Sequence, residues 1–164
     1  MEEQFIFFWG NESPFSNWHK ASFEVDGFEY NCSEQYMMHH KALLFDDQEI
    51  ANKIMQTKSQ GKQKALGRMV KNFDAQIWED KCKGIVYNGC RAKFLQNENL
   101  LKYLLKSKGK TLVEASPVDA IWGIGLTAED PRAQSRHTWR GKNWLGEVLT
   151  QLRDDLLKLN KEFE

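Results

Sequence analysis

The chain predicts an α+β fold, mainly α-helical, with a small N-terminal β-hairpin or sheet. Three observations point there. Residues 23–30 alternate in polarity around Asp26-Gly27, the strongest short-range hairpin signal a sequence offers. Leu145, Val148, Leu149, Leu152, Leu156 and Leu159 recur at steps of three and four, the repeat of one helix face. Between these ends, Ser or Asp residues stand before several helical patterns, where capping side chains belong. The expectation is one domain over residues 1–164, built of about six to eight helices.

Each element has a local reason. Phe5 to Trp9 is an apolar, aromatic strand, and Phe23 to Tyr30 is the hairpin. Ser33 is the expected cap of a helix running to about Leu44. Asp46-Asp47-Gln48-Glu49 has the form of a capping box and starts a second helix, through about Gln56. Ser59 precedes a short third one near Lys62 to Val70. Asp74 opens a long helix with Ile77, Trp78, Cys82, Ile85, Val86 and Phe94 on one broad stripe. Asn99 to Leu105 is a further short helix, ended by Lys108-Gly109-Lys110, and a strand to Ala115 follows. The last helix starts near Asn143. One small sheet is expected to gather the N-terminal strand, the hairpin and the strand ending near Ala115. No internal repeat, low-complexity linker or domain boundary is visible.

Composition narrows the function classes. A length of 164 residues is enough for a real core, and six tryptophans is many for that size. Formal net charge is zero, so no global field draws in nucleic acid or an anionic membrane. The sequence shows no secretory signal and no bilayer-length apolar run, and Cys32, Cys82 and Cys90 show no CxxC spacing. A cytoplasmic protein with free thiols is expected. The four histidines lack ligand spacing, so no metal site is expected.

The most informative stretch is E-A-S-P-V-D-A-I-W-G-I-G, Glu114 to Gly125. A buried-looking strand runs into two carboxylates, Glu114 and Asp119, followed by Trp122, Gly123 and Gly125. Acids at such a place are costly unless paired, hydrogen-bonded or working. A flat tryptophan face and glycine backbone suit a planar ring. The alternative is a strand end and tight turn with Trp122 in the core. Further upstream, Glu34 and Lys41 lie seven residues apart on one helix face, and Arg68 follows Gly67 at a helix end. They could present an acid to a sugar and cations to its phosphate; a solvated face and helix-dipole effects would read the same. Phe15, Ser16, Asn17 and Trp18 form either a ring-binding loop or a surface turn with two anchoring aromatics.

Taken together these segments make a resemblance. F-S-N-W, then S-E-Q-Y-M with Lys41 downstream, L-G-R at 66–68, Trp78 with R-A-K-F at 91–94, E-A-S-P-x-D-x-I-W-G-I-G, and G-K-N-W-L-G with Arg153 follow in one order. That order resembles the NADAR family, also called the YbiA-like N-glycosidases, from about Phe8 to Leu156. Trp144 and Cys90 depart from the family pattern, at positions where smaller residues are common. The resemblance implies a compact helical fold with a few strands. It implies hydrolysis of the bond between ribose C1′ and a nitrogenous base, without metal or cofactor. The substrate groups it suggests are ADP-ribose on guanine in DNA or RNA and early riboflavin-pathway ribosylamino-pyrimidine phosphates. A non-catalytic ADP-ribose- or nucleotide-binding module is the rival reading.

Breaking a ribosyl C1′–N bond passes through an oxocarbenium-like state. It needs negative charge near C1′, a base for water and a hydrogen bond for the departing ring. Asp119 is the expected water-orienting base. Glu34 would hold ribose hydroxyls or share the base role, and Glu114 is either catalytic or a structural acid. Trp78 and Trp122 would form aromatic walls, with Gly123 allowing close approach. Phe15 and Trp18 would form a lid beside Asn17. Lys41, Arg68 and Arg153 would meet phosphate or carboxylate. Asn143 would cap the last helix or touch ligand.

Overall fold

The computed structural model describes residues 2–162. Its elements run β1 (Phe5–Phe8), β2 (Phe23–Val25), β3 (Phe28–Tyr30), α1 (Ser33–Leu44), α2 (Gln48–Gln56), α3 (Gln60–Gly67), α4 (Ala75–Leu95), α5 (Glu98–Leu105), β4 (Thr111–Glu114) and α6 (Trp144–Glu162). The fold is mainly helical with small sheets, as the periodicities require. Backbone contacts group the residues into two compact units: Asn17–Asn97, and a second of Met1–Ser16 with Glu98–Glu164.

In the Asn17–Asn97 unit, β2 and β3 pair antiparallel, with Phe23 opposite Tyr30 and Val25 opposite Phe28. Asp26 and Gly27 both take positive φ, 52° and 84°, as a two-residue type I′ turn demands. The inward faces of Phe23 and Tyr30 stack at 5.5 Å, and Tyr36 from α1 meets Tyr30 edge-on at 5.0 Å. Buried aromatic area on both elements therefore fixes the hairpin to the helix. The cap of α1 is Cys32 rather than Ser33: its thiol accepts the Gln35 N–H at 3.4 Å from an extended backbone. Helix α2 is capped one residue later than the capping box implies, by Asp47 in place of Asp46; Asp47 accepts the Ile50 N–H at 3.1 Å and the Lys71 N–H at 2.9 Å. Helix α3 is capped by Ser59, starts two residues before the expected Lys62 and ends at Gly67.

Helix α1 is the centre of this unit and packs on α2, α3 and α4. Two glycines allow that closeness. A Cβ on Gly67 would strike the Met38 side chain, and one on Gly89 would strike the Tyr36 ring. The apolar stripe of α4 is real from Cys82 onward. Ile77 departs from the expectation and is 45% exposed, because the first turns of α4 project before its packing begins.

In the other unit, β1 and β4 pair in parallel, Phe5 opposite Thr111 through Phe8 opposite Glu114. The expected single sheet is therefore corrected to two two-stranded sheets among the described residues. Strand alternation encodes which face is apolar, but not which strand is the neighbour. β4 also lies against α6, where the Leu112 N–H donates to Thr150 Oγ1 at 3.0 Å. Val113, Ala115, Ile124, Leu126 and Ala133 form a buried apolar cluster backed by Phe5, Phe7 and Trp139. Two single-turn 3₁₀ helices, Pro131–Gln134 and Arg136–Thr138, were not anticipated.

Candidate active site

The acidic turn is built from backbone outward. Glu114 ends β4; its N–H donates to Asn143 Oδ1 at 2.9 Å and its carbonyl accepts the Ile124 N–H at 2.9 Å. Carboxylate oxygen Oε2 of Glu114 is fully buried. Asp119 Oδ1 accepts the N–H groups of Ile121 and Trp122, both at 2.9 Å, so this oxygen shapes the turn in the way Asp commonly does. Carboxylate oxygen Oδ2 has no hydrogen-bond partner among the described residues. The turn is laced to the segment before α6 by main-chain bonds from Lys142 to Ala120, Asn143 to Gly123 and Leu145 to Trp122. Trp122 is half-buried and meets Trp144 edge-on at 5.7 Å, so Trp144 supports the wall that Trp122 offers.

Two expectations in this region are corrected. Gly123 is needed for the protein's own packing: a Cβ there would lie 2.9 Å from the carbonyl oxygens of both Glu114 and Asp119. Asn143 is fully buried, and its side chain clamps β4, accepting from Glu114 and donating to the Leu112 carbonyl at 3.0 Å. It neither caps α6 through its side chain nor is open to a ligand.

The second group of expected site residues comes together in the Asn17–Asn97 unit. Glu34 is buried in the first turn of α1, and its N–H donates to the Asn17 carbonyl at 2.9 Å. Asn17 is itself buried, with Oδ1 3.8 Å from the Cys90 thiol. Lys41, two turns along, holds its ammonium 4.7 Å from the Phe73 ring centroid and 5.6 Å from that of Trp78. Burial lowers the Lys41 pKa, the Glu34 carboxylate raises it, and the Arg68 guanidinium lowers it again. Glu34 and Arg68 thus both act on Lys41, which has the Trp78 ring beside it. Trp18 is half-buried, with Lys64 Nζ 5.7 Å from its ring, and its carbonyl accepts from the Gln60 amide.

Phe15 and Arg153 are corrected. Phe15 is buried against Phe8 at 5.4 Å and Tyr103 at 4.9 Å, which makes it an anchor rather than a lid. Arg153 is 2% exposed and donates to the Ser107 carbonyl at 2.8 Å, Ser107 Oγ at 3.1 Å and the Lys110 carbonyl. It closes the loop before β4 and has no face for a phosphate.

Sequence reasoning missed Lys93. Its side chain is 0% exposed, and burial pushes its ammonium down to about 8, against the opposing pull of Cys90 and Cys32. The signal was present: Cys82, Val86, Gly89 and Lys93 follow at steps of three and four along the buried face of α4. A lysine where the stripe demands an apolar residue is the clue. Desolvated lysines of this kind serve as bases and nucleophiles elsewhere.

Comparison with known proteins places the class. A family model described as the NADAR domain matches residues 7–157. The chain belongs to the NADAR domain family. Over 93% of its length it is 45% identical to N-glycosidase R617 of Acanthamoeba polyphaga mimivirus, covering 96% of that protein. It is 30% identical over 91% of its length to the chloroplastic riboflavin biosynthesis protein PYRR of Zea mays, covering 24% of that longer chain. The NMR structure of the E. coli protein YbiA superposes with a TM-score of 0.80 at 28% identity, covering 99% of this chain and 90% of that one.

Proposed function

We propose that this chain hydrolyses the N-glycosidic bond between ribose C1′ and a nitrogenous base. It is a hydrolase of the N-glycosidase class. The observation that carries the reading is the buried Glu34 carboxylate grouped with Lys41, Arg68 and Trp78. An acid, two cations and an aromatic face suit an oxocarbenium-like sugar that bears phosphate. The similarity to a relative of nearly equal length named an N-glycosidase supports it. The family match runs through both compact units, which supports treating residues 1–164 as one functional domain.

Asp119 is the base for water, acting through Oδ2 while Oδ1 keeps the turn. Glu34 stabilises positive charge at C1′. Glu114 orders the strand end, and Trp122 stacks on a ring. Lys41 and Arg68 meet phosphate. Lys93 adds a buried amine that exchanges its proton at about pH 8. Substrates are ADP-ribose on guanine in nucleic acid, or the early ribosylamino-pyrimidine phosphates that the PYRR similarity supports. Three buried free cysteines are compatible with a reducing cytoplasm, and among the described residues no helix is long and apolar enough to cross a membrane. A binding-only module is favoured by one observation, the structural use of Asp119 Oδ1. The test is a panel assay at equal concentration with ADP-ribosylated guanine in DNA, riboflavin-pathway ribosylamino-pyrimidine phosphates and NAD. Release of free base from one of the first two is expected. Binding of ADP-ribose without release of base from any substrate would establish the module reading instead.

A further inference from the structure

The parallel pair has two outer edges, and they are finished differently. The ladder opens with the Thr111 N–H donating to the Gln4 carbonyl at 2.8 Å and closes with the Ala115 N–H donating to the Phe8 carbonyl at 2.9 Å. Main-chain groups of alternate residues point to opposite sides of a strand. Gln4, Ile6 and Phe8 therefore turn theirs to β4, and Phe5 and Phe7 turn theirs away. On β4 the residues turned outward are Leu112 and Glu114, and both are sealed. Leu112 donates to Thr150 Oγ1 and accepts from the Asn143 amide; Glu114 donates to Asn143 Oδ1 and accepts the Ile124 N–H. On β1 the N–H and C=O groups of Phe5 and Phe7 have no hydrogen bond among the described residues.

Buried main-chain groups rarely stay unpaired, so these face solvent, beside residues that are only half-buried. An open edge is a template for a further strand, and proteins ordinarily guard it with lysine, proline or a bulge. Phe5-Ile6-Phe7-Phe8 carries no charge and no proline, and its register runs without a bulge. At the carboxyl end of this edge lies a cleft of about 340 Å³ lined by Phe7, Phe8, Trp9, Ala115, Thr127 and Glu129. Trp9 is 57% exposed. Glu129 is exposed too, with no hydrogen bond or ion pair among the described residues, whereas its neighbour Asp130 is committed to Arg132 at 2.7 and 3.0 Å. An aromatic face beside an uncommitted carboxylate selects a cation. A guanidinium answers both, since it is planar enough to stack on the indole and its paired N–H groups match two carboxylate oxygens.

We propose that the free edge of β1 and the cleft beside Trp9 and Glu129 form a docking surface for an extended segment of a partner protein, which adds a strand to β1 and places an arginine in the cleft. Phe5 and Phe7 supply the main-chain bonds, and Trp9 and Glu129 select the side chain. A second copy of this chain is the poorer occupant. A strand edge of four residues is far smaller than the roughly 1,200 Å² that a stable protein–protein interface buries. Antiparallel pairing of two copies with Phe5 against Phe7 would also set Glu3 against Trp9, and the Arg136 beside Glu3 is already bonded to it at 2.6 Å. The surface lies wholly within the unit of Met1–Ser16 with Glu98–Glu164 and is independent of the hydrolysis reading.

The probe is a capped, fluorescein-labelled peptide, R-T-V-T-V-T-R, whose symmetry leaves either strand direction open, titrated with the full chain and read by fluorescence anisotropy. A second peptide with citrulline at both ends keeps the shape and removes the charge. Wild type is expected to bind the arginine peptide about tenfold or more tightly than the citrulline peptide. Glu129→Gln should erase that difference, and Trp9→Ala should weaken the arginine peptide by about tenfold. Both side chains are exposed, and melting curves check that the variants fold. The main-chain bonds are tested on the peptide. N-methylation of one alternate set of its amides blocks the edge that meets β1, and methylation of the other set blocks only the edge turned to solvent. One methylated peptide should lose binding and the other keep it. No binding of the arginine peptide by wild type, equal binding of the citrulline peptide, or equal binding of the two methylated peptides would overturn the docking surface. Light scattering over a concentration series is expected to show a monomer. A dimer that the arginine peptide dissociates would make a second copy the occupant and overturn the assignment to a partner protein.

Discussion

Asn143 holds Glu114 in place through the main chain, accepting its N–H at 2.9 Å while donating to the Leu112 carbonyl at 3.0 Å. One buried amide thereby ties both ends of the Leu112–Glu114 stretch of β4. Asn143 also has a φ of 54°, a conformation that Asn tolerates better than most residues. Asn143→Ala would orphan a buried N–H and a buried carbonyl and strain the backbone. A loss of about 2 to 4 kcal/mol is expected. Urea unfolding measures it. Unchanged stability would remove the clamp from the account.

Asp119→Asn keeps an oxygen for the Ile121 and Trp122 N–H groups and so should keep the turn. The proton acceptor is lost. Single-turnover hydrolysis of a ribosyl–base substrate should fall about 10² to 10⁴-fold, with the melting temperature nearly unchanged. If turnover survives, the base is elsewhere, with Glu34 and Lys93 the next residues to test.

Lys93→Met separates stability from function. Burying an ammonium is expensive, so an apolar replacement should leave the melting temperature level or raised, while activity falls. The pH dependence follows from its position at about 8 in the fold against an ordinary 10.5. Below 8 both states carry the proton and the full burial cost applies. Between about 8 and 10.5 the unfolded chain binds more protons, so this contribution makes stability rise with pH. Parallel denaturant titrations should show that rise in wild type and not in Lys93→Met.

His39 gives the opposite end of the pH scale. It is buried, Tyr30 Oη lies 2.7 Å from its Nδ1, and desolvation with the nearby His40 lowers it from 6.5 to about 4. Folded His39 stays neutral while the unfolded chain takes up a proton between those values. Stability should therefore fall as pH drops from 6.5 to 4, by roughly 2 to 4 kcal/mol from this group. His39→Gln should flatten that part of the acid-denaturation profile; an identical profile in the variant would rule the group out as its source.

Local chemistry made much of the fold legible. The Asp26-Gly27 turn, the Ser59 and Asp74 caps and the leucine stripe of α6 were readable because each depends on residues within one or two turns. Glu34 with Lys41 was readable for the same reason, since a helix puts them on one face. Arg153 and Phe15 were not. Both look like exposed functional groups in sequence, and only distant partners, Ser107 and Lys110 for one and Phe8 and Tyr103 for the other, reveal them as supports.

By itself the sequence determined the helical character of the chain, its hairpin, two of its caps (Ser59 and Asp74) and the residue types for ribosyl–base chemistry, because period and capping act over a few residues. Tertiary structure alone decided that β1 pairs in parallel with β4, which brings residues 106 positions apart side by side at Phe5 and Thr111. It also decided that Asn143 serves Glu114, that Gly123 fits against two carbonyls, and that Lys93 is dry. Pairing, clamping and desolvation depend on what lies across the fold, and a carboxylate or a lysine takes its chemistry from that surrounding rather than from its neighbours in the chain.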